Sequence, residues 1–337
     1  MNKKILVTGG LGYIGSHTVV ALQQSGYEVV IIDDLSNSEL FVLDRISEIT
    51  GIQPDFHPID LKETEAVNDF FETAKIDGVI HFAAHKAVGE SVEKPLMYFR
   101  NNILGLVNVL DAMKNNSIDN FIFSSSCTVY GQADKMPIDE NAPIKKAESP
   151  YAKTKQMGEE ILEDFVSAYN KNVISLRYFN PVGAHPSALI GELPKGIPNN
   201  LVPFVTQTAA GIREQLSVFG DDYPTRDGTA IRDYIYVCDL ADAHVKALNR
   251  LLEKKNSEPI EVFNLGTGVG STVLEVIKTF EKVNGLNLNY RIVGRRAGDI
   301  TEAFADNRKA ARELGWEPKT SLDESMRTAW EWQKTLN

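Results

Sequence analysis

In the stretch SPYAKTK, Ser149 to Lys155, a tyrosine stands four residues before a lysine, just after a proline and at an expected helix start. Four residues make about one helical turn, so Tyr151 and Lys155 share a face. A phenol held beside an ammonium can move protons. A free tyrosine titrates at about 10, and bringing it near 7 takes roughly 4 kcal/mol of interaction favouring the phenolate. Ser126, at the end of the run NFIFSSS, is the third candidate. Its hydroxyl would hydrogen-bond a reacting oxygen and relay its proton, with Thr128 nearby. Each has a plainer reading: a Tyr–Lys pair also suits a solvated helix face, and a strand-end serine commonly caps local backbone. What surrounds these residues decides.

The first half of the chain alternates short β-branched runs with helical patterns. KILVTGG, EVVIIDD, DFHPID, GVIHFAA and NFIFSSS read as strands, with 12–25, 38–48, 62–74 and 88–115 as helices between them. A helix after Ser149 and a sixth strand, VISLRYFN, follow. This pattern predicts an α/β fold, a Rossmann doubly wound parallel sheet with helices on both faces. Beyond Asn180 come two long loops, 181–204 and 219–234, of a length that usually carries function. VFNLGTG (262–268) reads as a further buried strand, and the remainder as mostly helical with a strand near NYRIVG. The expected organisation is a nucleotide-binding domain over 1–180, joined by a returning segment at about 235–268, and a smaller mixed α/β substrate domain over the rest of 181–337. The ligand site is expected between them.

Gly9, Gly12 and Gly15 in TGGLGYIGSH follow the first strand and open the first helix. The first permits a tight turn, the second a close approach of backbone to a pyrophosphate, the third tight helix–strand packing. Asp33 ends the second strand about twenty residues on, where a carboxylate accepts from ribose hydroxyls and repels a 2′-phosphate. NAD is therefore favoured over NADP, and its positive nicotinamide ring would be a second cation acting on Tyr151. Asp60, closing the third strand, is expected to face the adenine.

The chain has 337 residues, 43% hydrophobic and 24% charged, an ordinary balance for a soluble globular protein. The apolar run after MNKK meets glycines too early for a signal peptide or a membrane span. Two cysteines, Cys127 and Cys238, make no disulfide framework and fit a reducing cytosol, so the expected location is cytoplasmic. A formal net charge of −11 argues against nucleic acid as a partner. His81 and His85 lie four apart, but the first falls in a strand and no third ligand is near, so no metal is expected.

The GxxGxxG spacing, the serine ending the fifth strand and Tyr-x-x-x-Lys on the next helix resemble the extended short-chain dehydrogenase/reductase family over nearly the whole chain. FIFSSSCTVYG, SPYAKTK, LRYFNPVGAHP, GIPNNL, FGDDYPTRDGT and RDYIYVCDLADAHV most resemble its branch that epimerises UDP-hexoses. The resemblance implies bound NAD and reversible inversion at C4 of UDP-glucose and UDP-galactose. Hydride leaves C4 for NAD, and a 4-keto sugar forms. The sugar turns over and takes the hydride back on its other face. Tyr13 and Ile14 would join the glycines at the cofactor, and Phe82, Lys86, Asn101 and Tyr178 would line cofactor and sugar. Arg232 and Arg296 would hold the diphosphate and Asp299 the ribose. Asn180, Asn199, Asn200 and Leu201 match the UDP-sugar grip, and Phe219 with the backbone of Ser217 the uracil end. A homodimer is implied through the 88–115 helix and the Tyr151 helix, although the apolar stripes of VNVLDAM and MGEEILEDF could equally face the protein's own sheet.

Two departures narrow the reading. Dehydratases and decarboxylases of the family carry acids where this chain has Cys127 and Thr128, so elimination of water is not expected. Ala303 stands where narrow-specificity members present a bulky tyrosine to the sugar's C2 side. A small residue there admits an acetamido group, which implies UDP-GlcNAc and UDP-GalNAc as further substrates. The open alternatives are a UDP-uronic acid 4-epimerase and a non-catalytic NAD-sensing Rossmann protein.

Overall fold

The computed structural model describes residues 3–296 and 299–336. Seven parallel strands form its central sheet: β1 (Lys4–Thr8), β2 (Glu28–Ile32), β3 (Asp55–His57), β4 (Gly78–His81), β5 (Asn120–Ser124), β6 (Asn172–Tyr178) and the strand Ile260–Leu265. Their order is Ile260–Leu265, β6, β5, β4, β1, β2, β3. The sheet is buried on both faces, and the period of two in the strands shows how. Ile5, Val7 and Ile31 pack on one side with the helices Tyr13–Gln24 and Val237–Leu252. Leu6, Val30 and Phe121 pack on the other with Thr64–Thr73, Gly105–Asn115 and Pro150–Tyr169.

A separate apolar cluster joins the helices Leu201–Ala209, Val273–Asn284 and Leu322–Thr335 through Val205, Phe280 and Met326. Beside it, Leu216–Phe219 pairs in parallel with Tyr290–Val293, and Asn180–Val182 with Tyr234–Tyr236.

Several sequence expectations change. The helix expected over 88–115 is broken into Val88–Glu93, Pro95–Phe99, a π-helical turn at Arg100–Leu104, and Gly105–Asn115. Pro95 forces the first break, because it can start a helix but cannot continue one. β3 ends at His57, so Asp60 lies in the turn beyond and does not close the strand. The stripes of VNVLDAM and MGEEILEDF face the protein's own sheet: Val109, Leu110, Met113, Leu162 and Phe165 all lie in its core. The long loops carry short elements, since Ile231–Arg232 pairs with Ser271–Thr272 and with Glu302–Ala303.

Candidate active site

Ser149 caps the Pro150–Tyr169 helix by accepting from the Ala152 N–H, with Pro150 at the first helical position. That start sets the faces of the first two turns, and both Tyr151 and Lys155 are buried, at 9% and 4% exposure. The solvated-face reading is excluded. Lys155 Nζ donates to the Ser124 carbonyl at 2.6 Å and lies 5.9 Å from the centre of the Tyr151 ring. Ser126 begins the turn Cys127–Tyr130, its Oγ accepting from the N–H and the hydroxyl of Thr128 at 3.2 and 3.0 Å. The sequence-predicted catalytic set is therefore assembled where β5 meets the turn and the helix.

Its electrostatics differ from expectation. Burial pushes the Tyr151 phenol up to about 12, opposed by a hydrogen bond with Ser126. Burial pulls Lys155 down to about 8, opposed by Glu159. The groups of the chain thus raise the phenol's pKa, where a lowered one was expected. Bringing it near 7 takes about 7 kcal/mol, a task for a positive charge brought in by a ligand. His81, buried beside this group, accepts from or donates to Thr8 Oγ1 at 2.9 Å, and burial takes it down to about 3. It is a neutral structural histidine. Among the described residues no cluster of three or more metal-ligating side chains occurs.

The glycine loop is shaped by contacts that side chains would obstruct. Gly9 has φ +69° and lies against Ala83, where a Cβ would sit 2.8 Å from the backbone nitrogen. A Cβ on Gly15 would stand 2.2 Å from the Gly9 carbonyl oxygen. Gly12, by contrast, is the N-cap of the first helix and meets only the Gly9 oxygen, at 3.2 Å. No side chain caps that helix and its first turn carries no acid. Its N–H groups and positive field are left for an external anion, with Ile14 in the first turn. Asp33 is buried at the end of β2, accepting from the Leu11 N–H at 3.1 Å, Leu35 N–H at 3.0 Å and Ser38 Oγ at 2.7 Å. It ties the glycine loop to the segment after β2 and keeps acceptor capacity for a ribose hydroxyl. These residues fit a dinucleotide: an uncapped helix end and a carboxylate meet beyond the carboxyl ends of β1 and β2.

Other predicted cofactor residues have partners of their own. Asp60 pairs with Lys62 at 2.9 Å, and Lys62 also reaches Asn101 Oδ1 at 3.1 Å. Lys86 pairs with Glu192 at 2.9 Å and lies 5.7 Å over the Tyr13 ring, whose hydroxyl donates to the Gly183 carbonyl. Phe82 packs on His244, and Tyr178 hydrogen-bonds Ser124 Oγ.

At the other end, Asp299 gathers both predicted arginines. Arg296 bonds it at 2.9 Å and Arg232 lies 3.7 Å away. The Arg296 guanidinium covers the half-exposed Phe219 ring at 5.5 Å, and Ser217 is on the same strand. Asn180 donates its N–H to the Asp233 carbonyl. Asn200 precedes the helix that Leu201 begins and donates to Glu192 at 2.7 Å, while Asn199 is exposed. Ala303, paired in register with Arg232, is buried with Val129, Phe179 and the partly buried Cys127. That cluster links the arginine end to the Cys127–Tyr130 turn. Burial raises the Cys127 thiol to about 12, with Arg232 opposing.

Sequence reasoning missed three residues. Glu192 joins Lys86 to Asn200. Asp233, fully buried, accepts from Thr267 N, Thr267 Oγ1, Gly268 N and Ala305 N, fixing the segments beside Arg232 and Ala303. Asn102, in the π-helical turn, bonds both backbone groups of His85 and also Thr154 on the Tyr151 helix. Only Asp233 had a sequence signal, as an acid just before the apolar run YIYV.

Comparison with known proteins agrees with this geometry. The family model described as GDP-mannose 4,6 dehydratase matches residues 6–329. A UDP-glucose 4-epimerase of Bacillus subtilis (strain 168) is 54% identical, over 98% of this chain and 97% of its own. The crystal structure of a UDP-glucose 4-epimerase from Stenotrophomonas maltophila with bound NAD and formylated UDP-arabinopyranose superposes with a TM-score of 0.96 at 48% identity, covering 99% of both chains. One from Bifidobacterium longum, in complex with NAD+ and UDP, gives 0.94 at 43% identity, covering 99% of this chain and 98% of its own. Full-length identity at this level, on a site already assembled from its own residues, means that the chain belongs to the UDP-glucose 4-epimerases of the extended short-chain dehydrogenase/reductase family.

Proposed function

We propose that this protein interconverts UDP-glucose and UDP-galactose at C4 with bound NAD. The observation that carries the reading is the buried assembly of Tyr151, Lys155 and Ser126 between an uncapped glycine-loop helix and the Arg232–Asp299–Arg296 cluster. NAD, when bound, supplies the hydride acceptor that later gives the hydride back. Gly12, the first turn of its helix and Asp33 would hold it, with Lys155 at the nicotinamide end. Tyr151 takes the proton from the sugar C4 hydroxyl and returns it after the sugar has turned. Ser126 holds the reacting oxygen, and Lys155, anchored on the Ser124 carbonyl, sets the field at the phenol. Arg232 and Arg296 grip the diphosphate by exchanging Asp299 for phosphate oxygens, freeing Asp299 for the ribose. Cofactor binding falls to 1–180 with the returning segment, and substrate binding to the rest of 181–337.

The small side chain at Ala303 supports the same chemistry on UDP-GlcNAc and UDP-GalNAc. A homodimer is supported by an apolar face on the broken 88–115 segment, where Val92 and Leu96 are 62% and 74% exposed. Cys127 and Cys238 are unpaired, which supports the cytoplasm as its compartment. Among the described residues no helix is long and apolar enough to cross a membrane.

The test is a product assay with UDP-galactose and, separately, UDP-GalNAc, first without and then with added NAD. Conversion of UDP-galactose is expected. No conversion of it even with NAD overturns the epimerase reading, whereas failure of UDP-GalNAc alone removes only the wider specificity.

A further inference from the structure

Three consecutive serines at the end of β5 meet the Pro150–Tyr169 helix at successive turns. The Ser124 carbonyl takes the Lys155 ammonium, Ser126 meets Tyr151, and the hydroxyl of Ser125 donates to Glu159 Oε1 at 2.5 Å. Residues 151, 155 and 159 are spaced by four, so the three side chains lie along one face. Glu159 is buried, and it does not belong to the set assigned to the reaction above.

Its other partners fix it rigidly. Arg177 on β6 reaches both carboxylate oxygens, at 2.9 and 2.5 Å, in a forked pair. The same guanidinium bonds Tyr130 Oη at 3.0 Å, and Tyr130 in turn bonds Asn264 Oδ1 at 2.7 Å on the strand Ile260–Leu265. Tyr130 closes the very turn that Ser126 opens. One buried ion pair therefore grips both ends of the Ser125–Tyr130 segment, through Ser125 at its start and Tyr130 at its finish.

We propose that Glu159 is a positioning residue of the epimerisation: it fixes the serine run against the Tyr151 helix and is the negative neighbour of the Lys155 ammonium. The proposal rests on the reading of Tyr151 and Lys155 as the proton-transfer pair. A buried ion pair alone is weak evidence for stability, since apolar replacements often serve as well. Here it is joined to Ser125 and Tyr130, which bracket Ser126 along the chain. Burial pulls Lys155 toward losing its proton, and Glu159 opposes that. The other titratable groups packed around the pair are Tyr151 on the same helix, His81 on β4, Arg177 and Tyr178 on β6, and Tyr130 on the turn.

The experiment uses the full chain with NAD and UDP-galactose, measuring kcat and KM from about pH 6 to about pH 10. Glu159→Gln is expected to lower kcat about 30-fold at neutral pH with KM within about twofold, because substrate binding is untouched. Without the carboxylate Lys155 loses its proton sooner, so the alkaline fall in kcat moves about one pH unit lower. Glu159→Asp should restore most of the rate. A folded Glu159→Gln with kcat within about threefold of wild type, or with its alkaline limb in place, overturns the proposal. Ser125→Ala removes only the bond to Glu159 and decides the matter if Glu159→Gln does not fold. It should lower kcat about fivefold with an unmoved alkaline limb, and a wild-type kcat in that variant overturns the positioning role. Wild-type protein inactive on UDP-galactose would instead refute the epimerase reading, and shows before any variant is made.

Discussion

At the end proposed for the cofactor, Gly9 and Gly15 leave the backbone little freedom, and Asp33 accepts from three neighbours that tie the loop down. At the end proposed for the substrate, Arg296 is more than half exposed and Phe219 about half, and the charges are held by each other through Asp299. The first end is built to shape before anything binds. The second keeps its cations in partnerships that a diphosphate can replace at little reorganisation. The difference suits the chemistry proposed for each: a cofactor that stays, and a sugar nucleotide that must enter, turn and leave.

Substitutions should separate the two ends. Tyr151→Phe removes the proposed proton carrier and should reduce kcat by at least about a thousandfold, with NAD still bound. Activity persisting in that variant, by product assay, would move the proton transfer to another group. Gly15→Ala places a methyl against the Gly9 carbonyl and should cost about 3 kcal/mol, read as a lowered urea midpoint together with lost NAD. A stable variant with full NAD content would show that the loop is less fixed than its contacts indicate.

Acid offers a third contrast. Burial holds His17 and His81 down to about 3 and His244 to about 4, His81 on β4 of the sheet and the other two on helices packed against it. An unfolded histidine takes up its proton at about 6.5, so the unfolded state binds more protons from there down to these folded values. Stability is therefore complete above about 6.5 and lost as pH falls, by about 2 kcal/mol per histidine at about pH 5. Asp33 and Asp233, raised by burial, act in the opposite sense nearer the carboxylate range. Thermal melts across this window should show Tm falling, and a Tm flat to about pH 5 would contradict the buried neutral state.

The smallest effects belong to the exchangeable end. Arg232→Ala, at an 18% exposed side chain, should raise KM for UDP-galactose about tenfold. Arg296→Ala, at 58%, should raise it only about threefold. The reverse order would mean that the more exposed arginine carries the diphosphate.

The sequence alone determined whatever depends on neighbours along the chain. Glycine spacing reports local turn geometry, alternation reports a buried parallel sheet, and four-residue spacing puts Tyr151, Lys155 and Glu159 on one helix face. Pro95 is equally legible as a helix break, because a proline starts a helix but does not continue one. Tertiary structure alone decided what depends on distance and burial. The partnership of Lys86 and Glu192 spans 106 residues, and Asp299 meets Arg232 only because separate short strands bring them together. The Tyr151 phenol, expected to be acidified by its lysine, is made less acidic by the core around it, because desolvation is a property of the packed fold and has no sequence spacing.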